Sequence, residues 1–230
     1  MKEKLNIGII DDYPTKRFQI IESLIKGNVG ESSSHEKKNK YRDYELIPIE
    51  VEITRDINKT VETLLKMNLH CILIDYKLSS FQNIPYTGVR LAKEIESKRL
   101  EFPVFILTAY EDDVYSKEIF NSYQIVDIDQ YLQDDAKRLE VISKIIEQIL
   151  KYRKQINEST KELKELLKRK GESAKIDSKI IELDNFLEST LNKELALSPK
   201  LKKELLEDNK LDQLLSKIDL IIEKSEADNE

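Results

Sequence analysis

Two hydrophobic patterns divide the chain. Over residues 1–135, short apolar runs alternate with stretches of helical spacing. Residues 5–10 (LNIGII) form an apolar run that ends at Asp11-Asp12. Residues 15–26 then carry Phe18, Ile21, Leu24 and Ile25 on one face of an amphipathic helix. Residues 45–53 alternate, with Ile47, Ile49, Val51 and Ile53 on one side and Pro48 and Glu50 on the other, which fits an edge strand. Asp56 is placed to cap a helix running to about Met67. Residues 71–74 (CILI) and 104–107 (VFIL) are continuously apolar, as strands buried on both faces are. They end at Asp75 and at Thr108-Ala109. Helices are predicted over residues 87–99 and 113–122, and a last, partly polar edge strand over residues 125–132. The polar segment 27–43 reads as a long exposed loop, and 79–86 as a shorter one. Strands separated by helices predict an α/β domain, 1–135, with a doubly wound five-stranded parallel sheet.

Residues 136–230 show no strand pattern and predict an α-helical extension: one long helix over 136–170, then about three shorter ones. Ile142, Ile149, Ile156 and Leu163 recur every seven residues, beside Leu139, Ile146, Arg153, Thr160 and Leu167. That is a heptad seam with two polar interruptions. Gly171 suits a helix stop. Ile176, Ile180, Leu183, Leu187 and Leu191 share a face of the next helix. Ser198-Pro199 is a cap followed by a first-turn proline, and Asp208 or Asn209 can cap a last helix to about Lys224. Such stripes must be covered by fold-back into a helical bundle, by a partner helix, or by a second copy of the chain. The polar interruptions favour fold-back or a partner over a long coiled coil.

Composition narrows the classes. Gly and Pro number only 5 each in 230 residues, and 36% of residues are charged, which fits a helix-rich protein. No apolar run is long enough for a membrane span, and the start of the chain does not resemble a signal peptide. With a single cysteine no internal disulfide forms, so the expected setting is the cytoplasm. The net charge of −6 argues against a nucleic-acid partner. Residues 1–135 carry that whole deficit, with 18 Lys/Arg against 24 Asp/Glu; residues 136–230 have 20 of each. No helix-turn-helix with a basic reading helix is visible. Cys71, on a predicted central strand, reads as a packed thiol. His35 and His70 lack partners at metal-ligand spacing.

Ligands of open parallel sheets bind at the carboxyl ends of the strands. Here those ends offer Asp11, Asp12, Asp75 and Thr108. One aspartate after a strand is ordinarily a cap or turn residue. Three of them converging with a hydroxyl make a site in which like charges need a counter-ion. An all-oxygen donor set suits Mg2+, and a carboxylate beside it can attack phosphorus. Simple metal binding fits the same composition.

The segments 7–12 (IGIIDD), 71–75 (CILID), 87–89 (TGV) and 105–109 (FILTA) together resemble the receiver domain of two-component response regulators, over roughly residues 4–135. Tyr131-Leu132 resembles the family's aromatic-bearing fifth strand. The resemblance implies strand order 2-1-3-4-5, Asp75 as phosphoacceptor, and Mg2+ held by Asp11, Asp12, Asp75 and the backbone carbonyl of Lys77. It also implies Thr108 as the hydroxyl that bonds a phosphoryl oxygen, and Tyr131 as the switch aromatic. The donor would be a histidine kinase or phosphotransfer protein. The chain would be a phosphoacceptor and adaptor rather than an enzyme, acting on a protein effector through residues 136–230, with a homodimer as a further option. One departure stands out. The family places a lysine at the end of the fifth strand, just after the aromatic and usually before a proline. Here Tyr131 is followed by Leu132-Gln133-Asp134-Asp135, which puts that position near Asp134, and the next lysine is Lys137. Either phosphorylation is weak, or Lys137 or Lys77 substitutes, or the domain is a pseudo-receiver, a protein-interaction scaffold without phosphoryl chemistry.

Overall fold

A computed structural model of the chain describes residues 2–29, 41, 43–109, 124–193 and 196–207. The expected helix over 113–122, most of the loop at 27–43, His35 and the helix after 208 lie outside the described residues. The order is β1 (Glu3–Ile10), α1 (Pro14–Val29), β2 (Tyr44–Glu50), α2 (Ile57–Lys66), β3 (Cys71–Asp75), α3 (Gly88–Lys98), β4 (Val104–Thr108) and β5 (Ile125–Asp127). Four helices follow: α4 (Ile128–Gln133), α5 (Asp135–Leu167), α6 (Ala174–Asn192) and α7 (Pro199–Glu207).

The five strands form one all-parallel sheet in the order β2-β1-β3-β4-β5, a flavodoxin-like arrangement. The expected fold class is therefore the observed one. Every residue of β3 and β4 is buried, as their unbroken apolar runs require. Pro48 sits on β2 at the sheet edge, opposite Ile7 of β1, where a missing donor is tolerated. One face of the sheet gathers Ile7, Ile9, Leu73, Phe105 and Leu107 with Ile20 and Leu24 of α1 and Ile142, Ile145, Ile146 and Ile149 of α5. By strand alternation Ile72, Ile74 and Ile106 point to the opposite face, where Gly88 of α3 lies against Ile74. His70 fastens the entry to β3: its Nδ1 accepts from the Asn6 amide at 2.7 Å. Cys71 is a buried free thiol in the sheet core.

The fifth strand departs from expectation. It ends at Asp127, and residues 128–133 turn into α4. The apolar residues there keep a strand-like rhythm, but Asp127 and Asp134 each cap a helix. The Asp127 carboxylate accepts from the amides of Asp129 and Gln130 at 2.9 and 3.0 Å. The Asp134 carboxylate accepts from those of Ala136 and Lys137 at 2.8 and 3.1 Å. Two capping aspartates seven residues apart break an extended run into two helical starts. Tyr131 thus lies on α4, fully buried in the core, and not on the fifth strand.

The chain divides into two compact units, residues 1–95 with 102–150, and residues 96–101 with 151–230. In the second, the later part of α5 and α6 form a helical hairpin. Its turn passes Gly171 at φ 81°, and Ser173 caps α6 by accepting from the Ile176 amide. The stripe residues Ile156, Leu163 and Leu167, and Ile180, Leu183 and Leu187, are buried. Far from the turn, the Tyr152 hydroxyl donates to the Thr190 carbonyl at 2.7 Å, and the Arg99 side chain reaches the same carbonyl at 3.2 Å. On α7, Lys202 is buried and ion-paired to Asp184 and, at 2.7 Å, to Glu188, one turn apart on α6. No described helix is long and apolar enough to cross a membrane.

Candidate phosphoacceptor and metal site

Asp11, Asp12 and Asp75 meet at the carboxyl ends of β1 and β3, each buried, with one carboxylate oxygen from each within 4.8 Å of the others. Pairing of β1 with β3 in register (Ile10 beside Ile74) forces this convergence. Thr108 is buried at the end of β4, one residue past Leu107, which stands beside Asp75 in the sheet. All four sequence-predicted residues therefore sit at one end of the sheet.

Local backbone holds the carboxylates in place. The Asp11 Oδ1 accepts from the Tyr13 amide at 2.8 Å as the chain turns into α1. The Asp12 Oδ2 accepts from the amides of Phe81 and, at 3.0 Å, Gln82, in the loop after β3. The Asp75 Oδ2 accepts from the Lys77 amide at 3.1 Å. The other oxygens, Asp11 Oδ2 and Asp12 Oδ1, are buried with no hydrogen-bond partner. Gly88 makes the close approach of α3 feasible: a Cβ there would lie 2.2 Å from the Asp75 carbonyl oxygen. That is the physical content of the Thr87-Gly88 pair.

A cation does stand at Asp75, and it is Lys16. Its Nζ lies 2.5 Å from Asp75 Oδ1. Sequence reasoning looked for it at Lys77 or Lys137. Lys77 supplies its amide to the site, and Lys137 pairs with Glu140 on the surface of α5. The end of β5 is Asp127, not the neighbourhood of Asp134, and it offers no lysine either. Lys16 was legible in one respect. It sits in the first turn of the helix that follows Asp11-Asp12, and helical side chains lean toward the helix N-terminus. A long side chain from that turn reaches back over the strand end.

Three carboxylates against one ammonium leave a formal −2 when all are ionised. Burial, then the Asp75 charge, push the Asp11 pKa up to about 7, against the pull of the Tyr13 amide and Lys16. Burial also raises Asp75, while Lys16 and the Lys77 amide hold it down. This cluster could hold a divalent ion. Two buried, unpartnered carboxylate oxygens and an all-oxygen donor set fit a hard cation such as Mg2+.

Neither a scan against protein-family models nor a search of the curated proteins finds a match to this chain.

Proposed function

We propose that the α/β unit is a phosphoryl-accepting receiver whose cation at the phosphoacceptor comes from α1 rather than from the end of the fifth strand. The observation that carries this reading is the 2.5 Å pair of Lys16 Nζ and Asp75 Oδ1 beside two further buried aspartates. A carboxylate oxygen of Asp75 attacks the phosphorus of a phosphohistidine. The new P–O bond forms as the P–N bond breaks, and the histidine nitrogen keeps the electron pair. Asp11, Asp12 and the Lys77 carbonyl, with Asp75, would hold Mg2+, whose charge offsets that of the incoming oxygens. Lys16 follows the oxygens it faces, and the Thr108 hydroxyl donates to one of them. Tyr131 has no part in this scheme, because it lies on α4. The donor would be a histidine kinase or phosphotransfer protein, and residues 136–230 the surface for a protein effector. Incubation with acetyl phosphate and Mg2+ followed by intact-mass measurement tests the reading. Wild type should gain one phosphoryl group and Asp75→Asn none; no gain by wild type in the presence of bound Mg2+ and its cognate kinase rejects it.

A specific observation favours a second reading, the pseudo-receiver scaffold. An aspartate, Asp127, stands at the end of β5, its carboxylate committed to capping α4. In that reading Lys16 is a permanent counter-ion for Asp75. Removing it would then leave the protein unreactive toward acetyl phosphate, as it was before.

A further inference from the structure

Beside this site, and sharing Lys77 with it, the loop after β3 and the outer face of α3 line an open groove of about 560 Å³. Its floor is apolar. Ile84 and Tyr86 are buried, and the Tyr86 hydroxyl is tied inward, donating to the Thr54 carbonyl at 2.7 Å and lying 3.0 Å from the Thr60 hydroxyl. Its rim is basic: Lys77, Arg90 and Lys93 line it, and among the described residues no acidic one does, in a chain with a net charge of −6. Arg90 and Lys93 stand three residues apart on one face of α3, exposed, and neither side chain has an ion-pair partner among the described residues. Thr87 adds a hydroxyl at the start of the helix, where it accepts from the Arg90 amide at 3.2 Å.

We propose that this groove binds a small organic anion: an apolar body seated over Ile84 and Tyr86, bearing a phosphate or carboxylate group held by Arg90 and Lys93. The volume is that of a small-molecule site, and a few polar groups over an apolar floor are its usual construction. Arg90 presents the planar fork that suits phosphate and carboxylate. Nothing in the proposal depends on phosphorylation of Asp75, which does not line the groove.

The test is a titration of isotope-labelled full-length protein with phenylphosphonate in metal-free buffer, read by amide chemical shifts. The probe joins an apolar ring to a phosphonate through a C–P bond, so it cannot phosphorylate Asp75. Saturable shifts should centre on residues 84–93. They should persist in Asp75→Asn and weaken at least tenfold in the double variant Arg90→Gln with Lys93→Gln. Both substitutions are on exposed positions, and the spectrum itself reports whether the fold is kept. Inorganic phosphate, lacking the ring, should bind at least tenfold more weakly. Absence of saturation, equal binding by the double variant, equal binding of inorganic phosphate, or shifts centred on Asp11 and Asp75 would each overturn the assignment.

Discussion

The Lys16 ammonium and the Asp75 carboxylate, on α1 and at the end of β3, are in direct contact at 2.5 Å. The pair is largely shielded, with the Lys16 side chain 27% exposed and that of Asp75 5%. Lys16 thereby brings positive charge into contact with a carboxylate of the acidic cluster. Lys16 thus sets a cation at Asp75 in a chain whose fifth strand ends without a lysine.

The acidic cluster makes stability pH-dependent when no divalent ion is bound. Asp11 has a pKa of about 7 in the folded chain against 3.8 unfolded. Between those values the folded state holds a proton that the unfolded state has lost. Stability is therefore greatest below pH 4 for this group and falls as pH rises toward 7, by at most about 1.4 kcal/mol per pH unit for one proton. The raised pKa of Asp75 acts in the same direction. Denaturant midpoints measured in chelator from pH 5 to 8 should decline for wild type and flatten for Asp11→Asn. A wild-type midpoint that rises over that interval would show Asp11 to be stabilised in its ionised form instead.

Gly88 is expected to tolerate no side chain. A Cβ would sit 2.2 Å from the Asp75 carbonyl oxygen and 2.9 Å from Ile74 Cγ2. Relief requires α3 to move off the end of β3. Gly88→Ala should cost about 1–3 kcal/mol, the usual range for overpacking, and weaken Mg2+ binding with it. Unchanged Mg2+ affinity in a destabilised Gly88→Ala would mean that the approach of α3 serves packing alone.

The buried charges on α6 and α7 predict a large effect from a single substitution. Lys202 is 1% exposed and faces both Asp184 and Glu188. Lys202→Met leaves two buried carboxylates without their cation, and about 3–5 kcal/mol should be lost. The triple variant with Asp184→Leu and Glu188→Met should recover most of it, because an apolar replacement removes the desolvation penalty as well. Thermal unfolding of the three proteins measures this directly. Glu188 also accepts from the Leu197 amide at 2.9 Å, so a triple variant no better than Lys202→Met would show that losing this bond outweighs the relief of the desolvation penalty.

Much of this architecture can be read from residue patterns, and the failures have physical causes. The runs CILI and VFIL announced buried central strands, and Asp56 and Ser198 announced helix starts that the structure bears out. The neighbour relations that join Asp11, Asp12 and Asp75 were implied by resemblance, since periodicity carries no strand order. The end of β5 was misread because Ile125, Val126, Ile128 and Tyr131 are apolar in a strand-like rhythm, and only the capping bonds of Asp127 and Asp134 show where the backbone turns helical. Lys16 was missed because a charged residue in a first helical turn ordinarily faces water. Its reach to Asp75 depends on how β1 and β3 lie side by side, which is a tertiary fact.

The most direct test of the account is the rate at which acetyl phosphate and Mg2+ add a phosphoryl group to wild type, Asp75→Asn and Lys16→Met, followed by intact mass. The wild type should accept one group and Asp75→Asn none. Lys16→Met should accept it about 10- to 100-fold more slowly, in keeping with the loss of one charged donor to the transferring group. Equal or faster acceptance by Lys16→Met would contradict the account, because Lys16 would then be a counter-ion that blocks Asp75 rather than a partner in the transfer.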